Sequence, residues 1–197
     1  MQSKSREQNL ICETEQFLTM NYMTKQERMN YMGKSKLNPV KVPWKISASD
    51  EIALFQCEND RLEILLIADL FDSSKLKNLG IDSDFFDYMS IVQLRLVFET
   101  VLHFEYSRPQ QIVFGLDPQK YNMVINPSSY DRSAFFQKWI DTKICPDPQM
   151  YQVEDSDIKR ALNIKSDLMI HWILIGHDEI INIVSKKFTW EVVDYLQ

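Results

Sequence analysis

The spacing of apolar and polar residues divides the chain into a series of predicted elements. Residues 6–23 carry apolar side chains at helical spacing, which predicts an amphipathic helix. Residues 51–58 and 61–69 are predicted to be two strands, the second of them apolar on both faces. Asn59 and Asp60 lie between them, and both residue types tolerate the backbone of a tight turn. The two strands therefore form a predicted hairpin.

A long helix is predicted from Phe85 to the residues before Pro109. The Asp-Ser-Asp sequence at residues 82–84 supplies an N-cap and negative charge where the helix dipole favours it. The apolar residues that follow recur every 3.6 residues over about 20 residues, which indicates a largely buried helix. This repeat consists of Phe85, Met89, Val92, Leu96 and Leu102.

The middle of the chain is predicted to contain a second hairpin and two further helices. The hairpin comprises residues 111–117 and 120–126, and a helix follows over residues 130–143. A rigid, Pro-containing break comes next, and the Asp-Ser-Asp sequence at residues 155–157 begins a short helix.

The secondary structure of the C-terminal part of the chain is the hardest to predict from the spacing of its apolar residues. Residues 168–175 are long enough for a buried strand and apolar enough for a buried helix. We favour a helix over 168–187, with residues 176–179 as a turn in either case, and a helical end over 180–196. The whole pattern predicts an α+β fold, in which a small antiparallel sheet of two hairpins packs on helices and a helical C-terminal segment follows.

Charge divides the chain into two predicted parts. Residues 1–49 carry eight Lys or Arg and four Glu, a balance of +4, whereas residues 50–197 carry fourteen basic and twenty-four acidic side chains, a balance of −10. We predict a basic, Met/Tyr-rich helical arm and Pro-containing linker at 1–45, with the linker at 34–43, and a single acidic α+β domain at 46–197. An acidic body repels nucleic acid and anionic membranes, so neither is an expected partner.

Glycine and cysteine usage excludes several classes of protein. The four glycines are isolated, so neither a P-loop nor a dinucleotide-binding fingerprint is present. The three cysteines are far apart, which excludes a disulfide framework and a zinc knuckle. The N-terminus has no apolar core of signal-peptide length. We therefore expect a cytoplasmic protein without a metal or another cofactor.

Two groups of residues are candidates for catalysis. His171 and His177 lie close to Asp178 and Glu179, and these side-chain types can ligate zinc or iron. Positions six apart on a helix point in different directions, however, so an ordinary polar turn is the favoured interpretation.

Cys57 and His103, with an acidic side chain, are the second group, a nucleophile and a base if folding brings them together. Cys57 on a predicted strand is expected to be an inert core residue, and His103 is expected at the polar edge of the long helix. The favoured prediction is thus a protein that is not an enzyme. The alternative is a small hydrolase or transferase that uses Cys57/His103 or His171/His177.

The arm offers a candidate surface for a partner protein. Flexible thioethers next to aromatic rings suit an adaptable contact surface. The predicted contact residues are Phe17, Leu18, Met20, Tyr22 and Met23. The leading hypothesis is a non-catalytic intracellular protein that binds another protein, or forms homo-oligomers, as an adaptor, a chaperone or an assembly subunit of a larger complex.

The predicted element order gives one further alternative. From residue 10 to residue 143 the order is helix, hairpin, short helix, long helix, hairpin, helix, which resembles the class I chaperones of type III secretion. Those proteins dimerise and hold an extended effector segment on their surface. The resemblance implies a chaperone-like protein that holds an effector or an apparatus component.

The arm hypothesis makes a direct prediction. Deleting residues 1–33 is expected to leave a folded body that no longer captures the partner, because the contact residues are removed and the acidic domain is retained. Circular dichroism and pull-down with the isolated partner measure the two effects. Capture by the truncated chain at full strength would contradict the hypothesis.

Overall fold

The fold is dominated by strands. The computed structural model describes residues 35–47, 52, 54–72, 75, 88–108, 121–123 and 131–196. These residues form eleven strands in two sheets and two short helices. The elements are β1 (Ser35–Pro39), β2 (Trp44–Ile46), β3 (Leu54–Glu58), β4 (Arg61–Phe71), β5 (Met89–Glu99), β6 (His103–Ser107), β7 (Tyr121–Met123), α1 (Arg132–Thr142), β8 (Met150–Glu154), α2 (Asp157–Ala161), β9 (Ile170–Ile175), β10 (Ile180–Ser185) and β11 (Lys187–Leu196).

The two sheets differ in strand order. The six-stranded sheet has the order β6-β10-β9-β8-β1-β7, and its described pairs are antiparallel except for β1 with β7. The five-stranded sheet has the order β11-β5-β4-β2, and β3 pairs with the first half of β4 while β2 pairs with its second half. The centre of this sheet is therefore the long β4–β5 ladder, in which all eleven residues of each strand are paired.

The main core lies between the two sheets. In β4 and β5 every second side chain is buried, and these side chains pack with residues of β8, β9 and β10. Burial of each large apolar side chain contributes roughly 1.5–3 kcal/mol, so the inter-sheet contact is the main source of stability. The buried set on the two long strands is Leu62, Ile64, Leu66, Ala68, Val92, Leu94, Leu96 and Phe98.

The predicted α+β class is wrong, because most of the described chain is strand and the two helices are short. The largest error is the long helix, since residues 89–99 and 103–107 are β5 and β6. Gln93 and Arg95 interrupt the buried residues of β5 at every second position, which is the period of a strand facing water on one side. Additional apolar residues on the outer face of β5 gave its sequence the pattern expected of a helix with a wide apolar face.

The predicted helix over 168–187 and the helical end are also wrong. Residues 170–175 and 180–185 are adjacent antiparallel strands, and 187–196 is a third strand in the other sheet. Strands β9 and β10 are buried on both faces, so their sequences lack the alternation that distinguishes a strand from a helix. The turn predicted at 176–179 does connect them.

Two other expectations change with the fold. The helix–hairpin–helix order that carried the resemblance to type III secretion chaperones is not the order observed among the described residues. The predicted linker at 34–43 contains β1, whose Leu37 is fully buried between β7 and β8. The amphipathic helix at 6–23 and the strand at 111–117 lie outside the described residues.

Local signals predicted several elements correctly. The hairpin of β3 and β4 forms, and Asn59 in its turn has a left-handed backbone with φ 56°. Helix α1 is observed within the predicted 130–143, and Asp131 caps it by accepting hydrogen bonds from two backbone N–H groups. Ser156 caps α2 in the same way through the N–H of Lys159. Neither helix has the length and apolar character needed to cross a membrane.

The chain crosses between the sheets at Thr100, directly after β5. The N–H of Val101 donates to the carbonyl of Asp60 at 2.7 Å, and the N–H of Leu102 donates to the carbonyl of Val184 at 2.8 Å. Thr100 has φ 55°, a left-handed conformation that a β-branched residue rarely adopts. The two hydrogen bonds fix this strained connection.

Replacing Thr100 with glycine is expected to raise the free energy of unfolding by up to about 1 kcal/mol. The left-handed conformation costs a β-branched residue more than the extra chain entropy costs glycine. Urea unfolding measures the change. Thr189→Gly on exposed β11 is the control and is expected to be destabilising. If Thr100→Gly and Thr189→Gly both lowered the free energy of unfolding, the result would contradict backbone strain at Thr100.

Candidate functional site

Strand β11 forms one edge of the five-stranded sheet. It is ten residues long, and within the described part of the chain no strand pairs with its outer side. Such an edge presents unpaired backbone N–H and C=O groups, which can add a strand from another chain. β11 is therefore a candidate site for binding an extended segment.

Exposed apolar side chains gather where β11 ends. Ile91 is 51% exposed, Val193 50%, Tyr195 60% and Leu196 37%. Leu196 lies opposite Ile91, and Val193 stands at an irregularity in the pairing between residues 192 and 194. We call these four residues the edge-strand patch. Ile91 and Leu196 share the outer face of the sheet, whereas Tyr195 lies opposite buried Val92 and so is on the other face. Exposed apolar groups near one another on a folded chain often mark interaction sites.

The surroundings of the edge-strand patch are acidic. Asp194 lies within it on β11, and Asp69 of β4 lies opposite Ile91. Glu191, further along β11, forms an exposed ion pair with Arg95. With the −10 balance of residues 50–197, this environment favours a cationic partner.

A second candidate lies on the outer face of the six-stranded sheet, where Ser156, His171 and Asn182 form a chain of hydrogen bonds. The Ser156 hydroxyl is 2.7 Å from His171 Nδ1, and His171 Nε2 is 3.1 Å from Asn182 Oδ1. All three side chains are buried. In the register of β9 and β10, His171 lies opposite Val184, two residues along β10 from Asn182. Ser156 is held in position as the N-cap residue of α2.

The partners fix the tautomer of His171. Asn182 Oδ1 can only accept, so Nε2 carries the proton and Nδ1 accepts a hydrogen bond from the Ser156 hydroxyl. The Ser156 oxygen in turn accepts from the N–H of Lys159 at 3.0 Å. Burial lowers the pKa of His171 to about 4, so the imidazole is neutral at pH 7.

A cavity of about 540 Å³ adjoins this network. Ser156 is one of its lining residues, whereas His171 and Asn182 are not. Val153, Ile164, Met169 and Ile170 supply the apolar part of the wall. Polar and charged side chains line the rest, from β8, from α2 and from Asp155 and Asp167 outside these two elements. Its size lies within the range of small-molecule sites. Ser156 thus connects the cavity with the buried imidazole.

The residues predicted around His171 are dispersed. His177 and Asp178 form an exposed pair in the β9–β10 turn, with His177 Nδ1 3.0 Å from Asp178 Oδ2. Glu179 is fully buried and accepts from Arg108 and from the backbone N–H of Ile52, both at 2.9 Å. Among the described residues, no group of three or more His, Cys, Asp and Glu side chains is arranged to hold a metal ion.

The other predicted pair lies on different sheets. Cys57 is on β3 of the five-stranded sheet, and His103 is on β6 of the six-stranded sheet. His103 Nε2 is 3.8 Å from the Glu105 carboxylate, its neighbour on the same strand. Cys145, a free and buried thiol, has its pKa raised by burial and stays protonated.

Sequence reasoning missed the partners of His171. The Asp-Ser-Asp signal at 155–157 predicted the start of a short helix, but nothing in the sequence connects Ser156 to His171. Asn182 follows from the register of β9 and β10, which the helical interpretation concealed. The predicted contact residues Phe17, Leu18, Met20, Tyr22 and Met23 lie outside the described residues.

Comparison with known proteins identifies no relative. No family of proteins matches the chain, and neither the curated proteins nor the solved structures contain a significant match. The functional argument therefore depends on the described geometry.

The buried imidazole predicts a specific dependence of stability on pH. His171 titrates at about 4 in the fold and near 6.5 when unfolded, so the unfolded state binds the proton first as the pH falls. Its stabilising contribution is complete above pH 6.5 and is lost towards pH 4, by about 3 kcal/mol in total. Lys159 and His103 oppose protonation, whereas Asp157 favours it.

Urea unfolding at several pH values between 7.5 and 4 tests this. The loss of unfolding free energy over this range is expected to be smaller in His171→Gln than in the unaltered chain. His177→Gln, at an exposed histidine, is the matched control and is expected to follow the unaltered chain. Identical pH dependence in all three proteins would show that His171 does not titrate as described.

Proposed function

We propose that this chain is a cytoplasmic protein that binds another protein, as an adaptor, a chaperone or an assembly subunit, and that β11 accepts an extended segment of the partner. The observation that carries the proposal is the coincidence of a long edge strand with the edge-strand patch. Backbone hydrogen bonds along β11 would supply affinity, and the patch would supply specificity. The free thiol of Cys145 is consistent with a reducing compartment.

The partner segment has a definable chemistry. It is an extended strand with apolar side chains at alternate positions, because strand addition places every second side chain on one face. Lys or Arg occupies the positions between them, since Asp194 and Asp69 flank the patch and the body carries excess negative charge. The charge contribution falls as salt rises.

Capture of an extended effector segment is one form of this function. Such capture would use the same edge of β11. It does not depend on the order of helices and hairpins that the type III secretion chaperones have. A second copy of this chain is the competing occupant of β11, and it too carries cationic side chains, eight of them in residues 1–49.

Selection of ten-residue peptides from a random display library tests the proposal. We expect the selected peptides to alternate apolar and cationic residues and to bind with an affinity that weakens between 50 and 300 mM salt. Val193→Lys is expected to reduce that affinity at least ten-fold, because it places a charge in the apolar patch. Fluorescence anisotropy measures affinity, and hydrogen exchange is expected to show new protection in β11.

Leu162→Lys is the matched control, since Leu162 is 45% exposed and lies outside the patch after α2. It is expected to bind peptide like the unaltered chain. Equal binding by Val193→Lys would overturn the assignment to β11. Concentration-dependent self-association that protects β11 without peptide would identify a second copy as the occupant and overturn the partner proposed here.

A further inference from the structure

Ser156 occupies a position that capping of α2 alone does not explain. It lines the cavity of about 540 Å³, and its hydroxyl is hydrogen bonded to His171, which lies directly behind it and is not itself a lining residue. We propose that Ser156 is a nucleophile that takes the acyl group of a small carboxylic ester bound in this cavity. This inference goes beyond protein binding and adds a chemical step in which His171 acts with Ser156 and Asn182 and not with His177.

The geometry supplies the three parts that an activated serine needs. The nucleophile and the base are within hydrogen-bond distance, with Ser156 Oγ 2.7 Å from His171 Nδ1. The base is oriented by Asn182, which holds the Nε2 proton and leaves Nδ1 free to accept. The arrangement is a Ser–His–Asn chain, recognisable by the roles of its members and not by their order in the sequence.

Burial maintains the base in its reactive form. His171 is neutral at pH 7, so Nδ1 has a lone pair available for the hydroxyl proton. Asn182 carries no charge, so the imidazolium formed during the reaction gains less stabilisation than it would from a carboxylate. Because His171 acts as the base in both the acylation and the hydrolysis of the acyl-serine, the site is therefore expected to turn over slowly.

The proposed step balances without a cofactor. As Ser156 Oγ attacks the ester carbonyl carbon, its proton moves to His171 Nδ1 and the carbonyl becomes a tetrahedral oxyanion. The oxyanion collapses, the bond from carbon to the alcohol oxygen breaks, and the departing alcohol takes the proton from Nδ1. Water then repeats the sequence on the acyl-serine, which releases the carboxylic acid and restores the hydroxyl.

The cavity indicates the class of ester. Val153, Ile164 and Met169 provide an apolar wall for a short acyl chain. Lys159, also a lining residue, has its ammonium group bound to the carbonyls of Ser166 and Met169. The volume suits a small ester.

Labelling of the full chain with an alkyl fluorophosphonate tests the proposal. The reagent phosphonylates activated serines and releases fluoride, and peptide mass spectrometry identifies the modified residue. We expect Ser156 to be labelled, with a rate at least 100-fold lower in His171→Gln and about 10-fold lower in Asn182→Leu. The rate is expected to be constant from pH 8 to pH 5.5 and to fall near pH 4. p-Nitrophenyl butyrate is expected to give a burst of one equivalent.

Ser166→Ala and Ser133→Ala are controls at exposed serines and are expected to label at Ser156 like the unaltered chain. Mapping in the unaltered protein decides the outcome even if Ser156→Ala does not fold. A folded chain in which Ser156 stays unmodified, or in which Ser133 and Ser166 react as fast, would overturn the proposal. Val193→Lys is expected to be labelled at Ser156 as fast as the unaltered chain. The labelling experiment can therefore succeed or fail independently of the β11 proposal.

Discussion

The antiparallel ladder between β4 and β5 is the constraint on which the rest of the fold depends. Its eleven pairs align buried residues with buried residues, as with Leu62 and Phe98 or Leu66 and Leu94. A shift of one residue would turn every one of these side chains towards water. The ladder thus determines which side chains form one side of the core, against which the second sheet packs.

The two sheets use polar groups in different ways. On the outer face of the five-stranded sheet, charged residues pair in exposed positions, for example Lys187 with Glu99 at 2.9 Å, and such pairs contribute little stability. On the six-stranded sheet, Ser156, His171 and Asn182 are buried, so each unmade hydrogen bond there would be costly. The second arrangement holds side chains in one geometry, which is what a chemical site requires.

The sequence predicted elements whose signals are local. Asn59 and Asp60 specify a turn wherever they lie between two strands, and Asp131 and Ser156 cap helices by bonding to nearby N–H groups. The patterns that failed are those set by distant neighbours. β9 is buried on both faces and has apolar residues on both, so its own sequence lacks the alternation that would identify a strand.

The candidate sites show the same division. The helix start at residues 155–157 could be predicted, but the contact of Ser156 with His171 requires β8, β9 and β10 to pair in one register. The edge-strand patch required β11 to be recognised as a strand and to be placed last in its sheet. Both candidate sites therefore depend on which strands are neighbours in the sheets, and this cannot be read from the sequence of any one strand.

Glu179 has a consequence for how the protein is made. Its carboxylate joins Ile52, Arg108 and Tyr106, so it unites segments that are far apart along the chain. These contacts cannot form on a ribosome until residue 179 has emerged. Long-range pairing of this kind slows folding and leaves sheet edges uncovered during synthesis. The newly made chain must hold β5 without its neighbour β11 while residues 100–186 are added, which is the interval when a general folding helper would protect it.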